Sequence, residues 1–213
     1  MYNDRTKAGE ALARELAELE LTDPVVFALP RGGVPVALPV AETLGAPLDL
    51  ILVRKIGVPG QPELAAGAIV DGPPEHIFLN ERLLEAMRLT RADLRATIEA
   101  KRRELAERRQ SWLGGRAPVE VTGRDAIVVD DGIATGATVR AALMALRERG
   151  PARIILAVPV AARDTLDGLR PLVDAVICPL VPDVFRAVGL HYRIFDQTPD
   201  DAVRRAMQAL PAG

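Results

Sequence analysis

Apolar residues recur along the chain at two spacings, and the alternation between them predicts the layout. Leu12, Leu16 and Leu19 follow the polar Asp4 at helical intervals and predict a first amphipathic helix over 5–20. The run PVVFAL at 24–29, closed by Pro30, Arg31, Gly32 and Gly33, predicts a strand ending in a tight glycine turn. Val36, Ala37, Val40, Ala41 and Leu44 then mark a helix stopped at Gly45. Pro39 lies inside it, where a missing hydrogen bond costs roughly 3 kcal/mol, so this helix is expected to start late, kink or begin irregularly. LDLILV at 48–53 predicts a second buried strand, and the Gly/Pro-rich stretch 54–67 reads as a long functional loop. Thr90 and Asp93 resemble a capping box before a charged helix ending near Gly114 and Gly115, so 80–114 forms a helical insertion. Strands at 126–129, 153–158 and 175–177 and a helix over 137–149 complete an α/β pattern, a mostly parallel sheet covered by helices on both faces.

Composition narrows this without redirecting it. The 213 residues, 49% hydrophobic and 26% charged, suit one globular domain over 1–213, with a small tail region from about 179. The 27 basic and 29 acidic residues leave a formal charge of −2, so no nucleic-acid or membrane partner is expected, and small molecules are. One cysteine, Cys178, makes no intramolecular disulfide and fits a reducing, cytoplasmic setting. The start MYNDRTKAGE has no secretory apolar core, and no apolar run approaches the roughly 20 residues that span a bilayer. The basic run at 101–109 reads as a solvated helix face with Glu99–Arg103 and Glu104–Arg108 as i,i+4 pairs. His76, after Pro73 and Pro74 in an expected turn, reads as incidental, and two distant histidines supply no zinc site.

The chemistry concentrates in IVVDDGIATGATV at 127–139. A strand delivers adjacent carboxylates, Asp130 and Asp131, into a small-residue loop that opens a helix. Free backbone N–H groups and the positive helix end at Ala134, Thr135, Gly136, Ala137 and Thr138 suit a phosphate, and Gly136 allows close approach. Paired carboxylates at a strand edge accept hydrogen bonds from vicinal hydroxyls, so diol and phosphate recognition are coupled within nine residues.

This stretch resembles the phosphoribosyl pyrophosphate motif of the type I phosphoribosyltransferases, departing only at Gly132, where the family carries a branched aliphatic residue and glycine implies a more flexible turn. LPRGGV at 29–34 resembles the family's pyrophosphate loop, with Arg31 supplying charge, Gly32 close approach, and the 31–32 bond a candidate for a strained or cis peptide. Arg54 and Lys55, before the long loop, resemble the strand edge and flap that close over the reacting centre. The segments DRTKAG, VRKIGVPGQPELAAGAI and VFRAVGLHYRIFDQ are similar to a group of bacterial predicted phosphoribosyltransferases whose nucleophile is not established. The resemblance implies the type I fold with a C-terminal hood and Mg²⁺-dependent transfer from phosphoribosyl pyrophosphate to a nitrogen acceptor; the oligomeric state stays open, with a homodimer as one alternative. Asp130 and Asp131 would bind ribose, 134–138 the 5′-phosphate, and Arg31, Gly32, Arg54 and Lys55 the pyrophosphate, with Arg31 and Lys55 assisting its departure. Mg²⁺ would arrive on the pyrophosphate and reach the acid pair through water. VPDVF at 181–185 resembles the hood segment of purine enzymes, so Phe185, His191 and Tyr192 are acceptor candidates. Ala134 stands where 6-oxopurine enzymes carry an aspartate, and adenine-type enzymes also have a small residue there. A donor-binding regulator, told apart by salt-dependent nucleic-acid binding, and a pyrophosphokinase, told apart by ATP consumption, are the rival readings.

Overall fold

The computed structural model describes residues 1–72 and 75–209. Helix α1 (Arg5–Ala17) begins at Asp4, whose carboxylate accepts a hydrogen bond from the Lys7 amide, and buries Leu12 and Leu16. It crosses α2 (Gly33–Leu44) closely at Gly9, where a Cβ would stand 2.3 Å from the Val36 carbonyl oxygen. Strand β1 (Val25–Ala28) precedes α2, and β2 (Leu48–Leu50) follows it. Pro39 stays within α2, which starts at Gly33, earlier than the apolar stripe suggested, with the Pro39 ring against the Gly9 crossing.

The stretch 54–67, expected as a loop, is an antiparallel hairpin of β3 (Val53–Val58) and β4 (Gln61–Val70), extended by β5 (His76–Leu79). Its turn is Pro59–Gly60, with Gly60 at φ 78°, where proline fixes the first corner and glycine accepts the positive φ of the second. His76 correspondingly lies in β5, buried, with Nδ1 3.1 Å from Glu148 Oε2, rather than in a turn. Helices α3 (Glu81–Ala86) and α4 (Arg95–Leu113) form the expected insertion. Asp93 bonds the Thr90 amide and hydroxyl at 2.7 Å, closing a turn ahead of α4 rather than capping it. On α4, Arg108 meets Glu104 at 3.5 Å as expected, whereas Glu99 pairs with Arg102 instead of Arg103.

Strand β6 (Asp125–Val129), α5 (Ala137–Glu148), β7 (Arg153–Ala157), α6 (Arg163–Leu169), β8 (Ala175–Ile177) and α7 (Asp200–Ala209) complete the order. The five-stranded sheet runs β2-β1-β6-β7-β8, all parallel. Alternation along its strands divides the core. Val26, Ala28, Ile127 and Val129 face Leu12, Leu16, Val36 and Val40, whereas Phe27, Val128 and Leu156 face Val139, Leu143 and Leu146. Chain direction reverses its progress across the sheet between β1 and β6, and ligands of open α/β sheets bind at such a switch point, beyond the carboxyl ends of the strands. Ala28 pairs with Val129, so the loops after β1 and β6 leave the sheet at one level.

Candidate active site

The two loops pack so closely that glycine is obligatory between them. A Cβ on Gly32 would lie 2.0 Å from Asp131 Oδ2, and one on Gly33 2.7 Å from the Val129 carbonyl oxygen. The cis bond in this turn is Pro30–Arg31, one residue before the 31–32 bond expected. Arg31 lies at the mouth with Nη1 3.3 Å from Asp200 Oδ1 at the start of α7. That exposed partner is weakly held and can be exchanged for an anion.

Asp130 and Asp131 leave β6 side by side. Burial and the Asp131 charge push the Asp130 carboxyl well above the usual range, with Arg5 opposing. Burial also raises Asp131, while the Arg5 guanidinium, donating from Nε at 2.8 Å, pulls it back. Among these oxygens, Asp130 Oδ1 accepts from the Asp131 amide at 2.8 Å. Gly132 is a packing requirement rather than a source of flexibility, because a Cβ there would stand 2.6 Å from Val188 Cγ1 and 2.9 Å from Val160 Cγ1.

Beyond it, Ile133 is anchored by a bridge to Ala161, and the Thr165 hydroxyl donates to the Ala134 carbonyl at 2.7 Å. Ala134, Thr135, Ala137 and Thr138 are exposed, and Gly136 caps α5 in the left-handed region at φ 72° without a side-chain hydrogen bond. The first-turn N–H groups of α5 therefore face the loop's open side, the arrangement that receives a phosphate.

The remaining candidates divide. Arg54 and Lys55 are neighbours on β3 and so point to opposite sides. Arg54 Nε donates to Glu104 Oε1 at 2.7 Å on α4, and Lys55 Nζ meets Glu63 Oε2 at 3.1 Å across the hairpin. The structure thus gives Arg54 a partner on α4 and Lys55 a partner on the neighbouring strand of the hairpin. In the tail, Phe185 and His191 stack at 5.6 Å and 22°, both half-buried. Tyr192 is buried, with its hydroxyl donating to the Asp131 carbonyl at 2.6 Å, so it braces the acid pair instead of offering a face. Burial and the nearby Asp131 push that hydroxyl far above the usual tyrosine range.

A family model for the phosphoribosyl transferase domain matches residues 2–192. The chain belongs to that family. Its match reaches from the N-terminal segment to the tail, the two segments that meet at the acid pair. A Mycobacterium tuberculosis protein named "Putative phosphoribosyl transferase" is 45% identical over 203 residues, which is 95% of this chain and 45% of that protein. The chain thus spans about half the length of that relative. TT1426 of Thermus thermophilus, a solved structure, superimposes with a TM-score of 0.85 at 39% identity, covering 100% of this chain and 99% of that one. "Bifunctional protein PyrR" of Chloroflexus aurantiacus is 36% identical over 131 residues, 60% of this chain and 65% of that protein.

Within this phosphoribosyltransferase fold the sequence left one wall of the site unread. Arg5, at the start of α1, bonds Asp131, donates from Nη1 to the Asp196 carbonyl at 2.7 Å and lies 3.8 Å from the Phe195 ring centre. Tyr2 and Asn3 exchange backbone hydrogen bonds with His191, Arg193 and Ile194, holding the N-terminal segment against the tail. The signal available in the sequence was DRTKAG, read for resemblance and not for its arginine.

Proposed function

We propose that the protein transfers the 5-phosphoribosyl group from phosphoribosyl pyrophosphate to a nitrogen acceptor and releases pyrophosphate. The observation that carries this reading is the meeting of the Gly32 loop and the Asp130–Asp131 edge, with the open end of α5 beside them. Diol acceptors, phosphate donors and a glycine-lined approach for a second anion share one strand edge.

In this reading the amides and hydroxyls of 134–138 hold the 5′-phosphate, Asp130 and Asp131 accept from the 2′- and 3′-hydroxyls, and the Gly32 turn with Arg31 receives the pyrophosphate. The acceptor nitrogen bonds C1 as the C1–oxygen bond to pyrophosphate breaks, the electron pair leaves with pyrophosphate, and the nitrogen loses a proton to solvent. Fixing both phosphates turns a bimolecular displacement into an oriented one, which is the main source of acceleration. Two hard-oxygen carboxylates beside a phosphate-binding edge suit Mg²⁺, which takes one or two carboxylates together with phosphate oxygens. When bound, that ion supplies charge neutralisation for the leaving pyrophosphate. The stacked Phe185–His191 pair supports a flat heterocyclic acceptor.

A pyrophosphate-release screen with protein, donor and Mg²⁺ over purines, pyrimidines, orotate and pyridine carboxylates tests the reading. Release that depends on one acceptor is expected. No release with any acceptor, together with no donor binding by calorimetry, rejects it.

A further inference from the structure

Three segments converge on one guanidinium. Arg5 enters from α1, Asp131 from the end of β6, and Phe195 and the Asp196 carbonyl from the tail. Its side chain is only 12% exposed, and it donates from Nε and Nη1 at its edge while its face lies over the Phe195 ring. Asp131 Oδ2 accepts from Arg5 and also lies against Gly32, so the guanidinium fixes the carboxylate where the two loops meet.

The contacts continue past Phe195. Its ring packs on Gly189, where a Cβ would stand 2.8 Å from Phe195 Cδ1, and Gly189 belongs to the short 3-10 turn Val188–His191. His191 in that turn stacks on Phe185. An unbroken run of packed groups therefore joins the acid pair to the aromatic pair, and Arg5 is its first link.

We propose that Arg5 is a positioning residue that ties the ribose-facing carboxylate Asp131 to the tail, so that the donor and acceptor sides of the cleft are coupled through one guanidinium. The proposal rests on the donor-site reading above. A donor that fixes Asp131 fixes Arg5, hence Phe195 and the turn beneath the aromatic platform. By linkage, an acceptor that orders the platform tightens donor binding by the same factor. Lysine cannot replace arginine here, since a point charge can keep the ion pair but not the stack and the carbonyl bond together. Tyr192 provides a second tie, from its hydroxyl to the Asp131 carbonyl, but to the backbone rather than the carboxylate.

The test is amide hydrogen exchange over residues 185–196, with and without phosphoribosyl pyrophosphate and Mg²⁺, alongside donor calorimetry. In the unsubstituted protein donor should slow exchange in this segment. Arg5→Met should abolish that slowing and weaken donor binding roughly tenfold or more, as loss of a charge-assisted hydrogen bond implies. Arg5→Lys should recover much of the affinity without the slowing. Tyr192→Phe, which loosens the tail but spares the guanidinium, should retain it. Donor-induced slowing that survives in Arg5→Met overturns the proposal. If the unsubstituted protein binds no donor, the functional reading fails by itself, and the coupling is judged in free protein. There Arg5→Met and Asp131→Ala should each speed tail exchange, and the double variant should be no faster than either. Additive effects overturn the coupling.

Discussion

The edge where the Gly32 loop meets Asp130 and Asp131 and the region formed by β3–β5 and α4 differ in the contacts that define their surfaces. At the first, glycines meet a carboxylate or a backbone carbonyl at distances that exclude even a methyl group, and the strands beneath are wholly buried. The second region also buries Ile56, Ile69, Leu94 and Leu105 in the core, and on its outer side it adds ion pairs, including Arg54–Glu104, Lys101–Glu104, Lys55–Glu63 and Arg102–Glu75. Contacts of the first kind fix atoms to fractions of an ångström, whereas exposed pairs contribute about 0–1 kcal/mol each and exchange readily with water.

The sharpest way to break this contrast is Gly32→Ala. Its methyl carbon would fall on the Asp131 carboxylate, so donor affinity should drop by on the order of 3 kcal/mol, roughly a hundredfold, by calorimetry. An affinity within twofold of the parent would mean that the two loops do not act as one site. Phe185→Ala is expected to weaken acceptor binding by about 1–3 kcal/mol while donor binding stays the same, a split measurable once the release screen has found an acceptor. Simultaneous loss of donor and acceptor would assign Phe185 to packing.

Asp130 offers a test in pH. Its folded pKa is raised by burial and by Asp131, so the ionised carboxylate destabilises the free protein. That cost is absent below the ordinary carboxylate pKa of ~4 and grows as pH rises through the region between the unfolded and folded values. Asp130→Asn should therefore raise the melting temperature near neutral pH, and the gain should vanish in acid. A melting temperature unchanged at pH 7 would show that the carboxylate is better solvated than its enclosure implies. The smallest effect is expected in the insertion, where Glu104→Ala removes contacts to Arg54, Lys101 and Arg108 yet should cost under about 1 kcal/mol in denaturant and leave donor affinity alone.

What the sequence disclosed follows the same division. The strand end at Val129 and the helix start at Ala137 were legible because both are local patterns, an apolar run and a glycine-led apolar stripe. The parallel sheet was legible for a similar reason, through short apolar runs separated by helical stripes. Strand β4 was hidden by Ala65, Ala66, Gly67 and Ala68, which lack the β-branched signature, and Pro59 and Gly60 were read as part of one long loop rather than as the turn of a hairpin. Arg54 and Lys55 matched a motif by position, but strand alternation sends adjacent side chains apart. Arg5 was invisible because its partners lie 126 and 191 residues away, and no local pattern encodes a contact between segments so distant.

The pairing of the N-terminal segment with the tail has a further consequence, for synthesis. The ribosome completes the loops after β1 and β6 by residue 138, but the backbone partners of Tyr2 and Asn3 and the ring beside Arg5 are made only at 191–195. Closing so long a loop comes late in folding. A nascent chain therefore carries its acid pair uncovered until those residues have been made, and the finished cleft is sealed by two segments born far apart in time.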